Sequence, residues 1–116
     1  MTSNVKPFLY YLKKESGGLE LIAEIKKRVD RTTSNCLCGE QMNVKNSPKE
    51  YLYNVDEEEK RLIILGTPYF ECQRCGRKSE DVFLYSNVEE LIEKEIFLRI
   101  NNRDTIPEQV DFSVFI

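Results

Sequence analysis

YFECQRCGRKSED, residues 69–81, sets Cys72 and Cys75 two residues apart with Gly76 directly behind them. A thiol pair on such a turn is half of a metal site, the working pair of a dithiol oxidoreductase, or two core thiols. The segment Cys36-Leu37-Cys38-Gly39 repeats the arrangement upstream with a single intervening residue, and these two pairs hold all 4 cysteines of the chain. Between them, EYLYNV (50–55) and RLIILGTPYFEC (61–72) are rich in β-branched and aromatic residues and read as strands. The acidic DEEEK (56–60) is their exposed connection, and Gly66 and Pro68 predict a bulge or bend in the second arm. A hairpin brings its ends together, and with them both cysteine turns. The layout favours one zinc ion held by Cys36, Cys38, Cys72 and Cys75.

Zinc suits four thiolates because it imposes no geometric preference of its own and accepts a tetrahedron of sulfur. Glycine after the second cysteine of each pair lets the backbone turn tightly and aim amide N–H groups at sulfur. Arg74, Arg77 and Lys78 beside the second pair offset the net negative charge of such a centre or form a contact surface. Four protein ligands leave no position for water or substrate, so the ion is expected to be structural rather than catalytic. The C-x-C spacing of the first pair makes a tighter turn than the usual C-x-x-C. A redox role for Cys72 and Cys75 would require a depressed thiol pKa and a protein that stays folded without metal.

At 116 residues the chain is read as a single domain, and 41% hydrophobic with 32% charged residues suits a globular protein. The fold class expected is α+β: a small zinc-ribbon-like sheet with N-terminal helices and a C-terminal helix packed against it. No apolar run approaches the roughly 18 residues of a membrane span, and the N-terminus lacks the pattern of a secretory signal. These features read as a cytoplasmic protein with no membrane partner, where thiols stay reduced and metal binding is favoured over disulfides. There is no histidine, which removes Ser-His, Cys-His and His-metal chemistry. No glycine-rich phosphate loop occurs, and DEEE (56–59) and EELIEKE (89–95) read as exposed acidic faces. The chain is read as non-enzymatic.

Residues 1–34 form the predicted helical segment. FLYYLKK (8–14) reads as a short helix after Pro7, stopped by Gly17 and Gly18, and a second helix runs from Leu19 to about Arg31 with Leu19, Ile22, Ile25 and Val29 as its apolar stripe. Residues 35–86 make the zinc-binding β region, ending in DVFLY (81–85) as a strand. Asn87 is the expected cap of a helix over 87–100, with Val88, Leu91, Ile92 and Ile96 buried. Residues 101–116 form an extended tail after NNRD (101–104) and Pro107.

Charge is unevenly spread: seven Lys/Arg against four Asp/Glu in residues 1–35, seven of each in 36–78, and three against nine in 79–116. This polarity suits packing of the two ends or the complementary faces of a homodimer. The basic KKRVDR (26–31) gives a nucleic-acid-binding regulator as the alternative, but the chain is acidic overall and shows no helix-turn-helix. Another protein is the expected partner. Its contacts are assigned to Arg74, Arg77 and Lys78, the hairpin edge, and Val110, Phe112 and Phe115 of the apolar tail, which could add a strand to a sheet edge or pack on its own domain.

At CLCG (36–39), GTPYFECQRCG (66–76) and the helix that follows, the sequence resembles the YgiT-type zinc-finger family, which includes the N-terminal domain of MqsA-like antitoxins and small YokU-like bacterial proteins. EELIEKEIFLRINNRDTIPEQV (89–110) is similar to the YokU-like continuation. The resemblance covers about residues 35–110. It implies a bacterial or phage protein with a zinc-bound fold, with Cys36, Cys38, Cys72 and Cys75 as ligands, and an antitoxin-like or regulatory role through contact with a toxin or other target. The chain lacks the C-terminal helix-turn-helix with which full antitoxins of this kind bind operator DNA, so DNA binding does not carry over.

Overall fold

The computed structural model describes residues 7–30 and 33–116. Two long strands dominate it: β2 (Gln41–Val55) and β3 (Glu58–Cys72) pair antiparallel along nearly their whole length. A three-residue β1 (Thr33–Asn35) pairs antiparallel with the start of β2, and a two-residue β4 (Lys78–Ser79) pairs antiparallel with the end of β3. The last strand, β5 (Gln109–Asp111), lies parallel to β3 at Ile63–Leu65. The helices are α1 (Ser16–Val29) and α2 (Val82–Asn101). The architecture is α+β, as the sequence implied.

The acidic connection narrows to a two-residue turn, Asp56-Glu57, because Val55 pairs with Glu58 and the rest of DEEEK joins β3. Both turn residues take positive φ, 50° and 67°, the hairpin turn whose twist matches that of the strands. The expected bulge is present: Ser47 and Lys49 pair with Thr67 and Ile64, so one extra residue of β3 is accommodated around Leu65-Gly66.

α2 and α1 cover the core face of this ribbon. Leu84, Val88, Leu91, Ile92 and Ile96 from α2 meet Ile25 from α1 and Leu62 and Ile64 from β3. Four readings of the chain change here. DVFLY is the start of α2 and not a strand, because the Asp81 carboxylate accepts hydrogen bonds from the Phe83 and Leu84 amides at 3.1 and 3.2 Å and caps the helix six residues before Asn87. Residues 8–14 form turns and a short 3-10 helix, since Leu9 at φ 69° interrupts any α-helix. Gly17 and Gly18 lie inside the first turn of α1, where a Cβ at Gly18 would stand 2.2 Å from the Leu12 carbonyl oxygen. Leu19 is 53% exposed, and Leu21 joins Ile22, Ile25 and Val29 on the packed face. Arg31 lies outside the described residues.

The tail returns to the core. β5 adds to the edge of β3, Asp111 accepts a 2.9 Å bond from the Ser113 amide, and a 3-10 helix over Phe112–Phe115 follows. Val110, Phe112 and Phe115 are buried, with Phe115 edge-on to Phe8 at 6.2 Å. The partner contact expected of these three side chains is corrected: they fill their own domain's core, where burying their apolar surface is worth roughly 2 kcal/mol each.

A buried ion pair joins these parts. Arg99 Nε donates to Glu95 Oε2 at 2.9 Å, and both side chains are excluded from solvent. The remaining guanidinium nitrogens donate to the carbonyls of Thr105 and Pro7, each at 2.7 Å. One side chain thus ties the start of the described chain and the segment after α2 to the helix.

Two stability measurements follow. Glu57→Gly should raise the unfolding free energy by about 1 kcal/mol, because glycine adopts positive φ without steric cost; an unchanged denaturation midpoint would contradict the turn conformation. Arg99→Met should cost about 3 to 5 kcal/mol by leaving Glu95 buried and unpaired. Adding Glu95→Leu should recover most of that loss.

Candidate metal centre

The two cysteine turns stand at the open end of the ribbon, opposite the Asp56-Glu57 turn. The first links β1 to β2: the Cys36 amide donates to the Glu40 carbonyl at 2.8 Å and the Gly39 amide to the Cys36 carbonyl at 2.9 Å. The second links β3 to β4, with the Cys72 amide on the Arg77 carbonyl at 2.8 Å and the Gly76 amide on the Cys72 carbonyl at 2.9 Å. Gly39 and Gly76 sit at φ 91° and 74°, a conformation that side chains disfavour, which is why glycine closes each turn. The C-x-C turn therefore closes as well as the C-x-x-C turn, one residue shorter.

Cys36 Sγ lies 3.5 Å from Cys75 Sγ, and Cys38 Sγ 3.5 Å from Cys72 Sγ; the four sulfurs fall within 4.8 Å of one another. A tetrahedron of sulfurs at 2.3 Å from a central ion has edges of about 3.8 Å. The sulfur set fits one metal ion with little adjustment. Each close pair joins one turn to the other, so an ion here would tie the two turns together.

Backbone amides prepare the sulfurs for charge. The amide of Cys75, then that of Arg74, point at Cys72 Sγ and outweigh its burial, bringing the Cys72 thiol down to about 6. At Cys38 the Glu40 amide favours the thiolate, but the neighbouring Cys72, Cys36 and Cys75 thiols and burial prevail and push it up to about 12. In the metal-free cluster Cys72 holds negative charge readily, and Cys38 resists it. A divalent cation removes that conflict.

Cys36 and Cys72 are buried, while Cys38 and Cys75 are exposed. Beneath them, Met42, which pairs with Cys72 across β2 and β3, and Phe70 form a small apolar floor. Sequence reasoning did not assign this floor, although the alternation of β2 would have placed Met42 beside the hairpin's terminal cysteine. Arg74, Arg77 and Lys78 are exposed around the second turn, with Lys78 Nζ 5.7 Å from the Tyr69 ring centroid. Leu37, at the tip of the first turn, is 87% exposed. Within the basic KKRVDR stretch, Arg28 is turned to Asp81, with which it pairs at 3.4 Å, and covers the Phe83 ring; Arg31 lies outside the described residues.

No protein-family model, curated protein or solved structure matches the chain.

A cobalt(II) titration of the metal-free chain should saturate at one equivalent with the intense visible absorption of a tetrahedral thiolate site. Cys38→Ser should weaken that binding and shift the band by replacing one sulfur; a weak octahedral spectrum would rule out the four-sulfur arrangement.

Proposed function

We propose that the chain is a non-enzymatic zinc protein in which one ion, bound by Cys36, Cys38, Cys72 and Cys75, holds the end of the sheet rigid for contact with another protein. The observation that carries the reading is the four-sulfur set spanning both turns, spaced for one tetrahedral ion. Thiolate donors select zinc among the common divalent ions of a cell, and four of them leave no open coordination position. The exposed side chains around the centre, Leu37, Arg74 and Arg77, suit contact better than chemistry.

The resemblance to YgiT-type zinc fingers supports the same ligands and suggests the biological setting, a bacterial or phage regulatory protein that acts on a toxin or similar target in the cytoplasm. The acidic charge of residues 79–116 disfavours nucleic acid as the main partner.

Elemental analysis of the native protein should find one zinc per chain. Removing it with a strong chelator should lower the unfolding midpoint followed by circular dichroism, since at the cysteine end β1 and β4 hold only three and two residues. A metal-free protein with unchanged stability would overturn the zinc reading. Cross-linking in the source cell should join Leu37 or Arg74 neighbourhoods to a second protein, and cross-links to nucleic acid alone would overturn the contact role.

A further inference from the structure

Beyond Asn43, no strand among the described residues covers the outer edge of β2. Val55 and Glu58 close a two-residue turn and so form a hydrogen-bonded pair, which points the backbone groups of odd-numbered β2 residues at β3 and those of even-numbered residues outward. The same count points Met42 at its partner Ser34 in β1. Pro48 faces outward too, and it has no N–H to offer. Proline therefore interrupts the edge in its middle and leaves Glu50, Leu52 and Asn54 as a continuous stretch of open donors and acceptors.

A helix stripe overhangs this stretch. Glu89, Glu93, Phe97 and Ile100 follow one another along α2 at intervals of four, four and three residues, one face of the helix. Phe97 is 63% exposed, and grooves of about 500 and 180 Å³ flank it; the smaller is formed with Tyr51 and Tyr53 of β2. Glu93 lines this smaller groove, with Glu89 one turn before it on α2, and burial together with these two carboxylates raises the Tyr51 hydroxyl above its ordinary value. Neither carboxylate has an ion-pair partner among the described residues, whereas Glu90 is paired with Lys94 at 3.3 Å. On the opposite face of β2, Leu52 is 55% exposed.

We infer that a basic, extended segment of a partner protein adds as a strand to β2 at Glu50, Leu52 and Asn54, setting apolar side chains against Tyr51, Tyr53 and Phe97 and cationic ones against Glu89 and Glu93. Three independent features converge on this occupant. The open backbone edge requires an extended chain, the aromatic and aliphatic groove selects apolar residues on the side facing α2, and the unpaired carboxylates select Lys or Arg two positions along on that same side. A second copy of this chain meets the last condition poorly, because the nearest cation its β2 offers, Lys49, is already held by Glu80 at 2.9 Å. This inference rests on the reading of the chain as a protein-contact module and names its surface and the chemistry of its partner.

The test is a titration of the isotope-labelled, zinc-loaded full chain with a synthetic octapeptide that carries Val and Lys in turn at every second position with Thr between, so that both face α2, read by amide chemical shifts, beside the matching peptide with Glu in place of Lys. The Lys peptide should shift the Leu52, Asn54 and 93–100 amides, bind more weakly as salt rises, and far outcompete the Glu peptide. Phe97→Ala, an exposed change that leaves the core intact, should weaken binding about tenfold. Leu52→Pro should abolish it by removing an outward N–H, and a joint Glu89→Gln and Glu93→Gln change should remove the salt dependence. Equal binding of both peptides, no binding, or self-association of the chain that Leu52→Pro dissolves would each overturn the inference. Shifts confined to the residues around Leu37 and Arg74 would overturn this surface while leaving the protein-contact role standing, and the zinc content of the same sample reports separately on the metal.

Discussion

Four sulfur atoms at the open end of a two-stranded ribbon are the constraint on which this structure depends. β1 and β4 are too short to hold themselves to the long strands, and the apolar floor under the turns amounts to Met42 and Phe70 beside two buried cysteines. That end of the ribbon has little apolar burial of its own, whereas the middle packs on the helices. A bound ion changes the balance, since structural zinc contributes on the order of 10 kcal/mol to folding in small finger peptides. The sheet is thus fastened at two places by different means: thiolates at one end, and the helices and tail packed on its middle.

That second fastening is centred on α2. Its buried face carries the apolar stripe, and Arg99 spends every direction of its guanidinium on Glu95 and on carbonyls from distant segments. Near its start, Lys49 reaches from β2 to Glu80 at 2.9 Å and lies over the Tyr85 ring, while the Tyr85 hydroxyl donates to the Pro68 carbonyl beside the bulge. The irregular part of β3 is consequently the part that the helix grips. The hairpin turn at Asp56-Glu57 lies beyond this grip, and the molecule extends to 53 Å along its longest axis.

Much of this was legible in the residues. The two cysteine turns, the hairpin between them, the bulge at Gly66 and the stripe Val88, Leu91, Ile92 and Ile96 follow from local chemistry and periodicity, and each is where that reasoning places it. The misreadings have a shared cause: short apolar runs do not declare their period. DVFLY fits a strand as well as a helical turn, and only the Asp81 cap, with Leu84 and Tyr85 reaching the core, decides for the helix. VDFSVFI left partner contact and packing on its own domain both open because its apolar residues have no obvious face in sequence, and its neighbour, β3, is more than forty positions away. Phe97 lies off the buried stripe read from the sequence, and only the fold shows that its side of the helix faces the edge of β2.

On the proposed function, four thiolates closed around one ion supply rigidity and no chemistry, and recognition falls to the surfaces that the metal and the helices hold in place. X-ray absorption at the zinc edge of the native protein tests this account most directly. Four sulfur scatterers at about 2.3 Å, with no oxygen or nitrogen in the inner shell, are the result it predicts; a shell containing fewer sulfurs and a water would mean an open site, and would contradict the claim that the ion serves the fold alone.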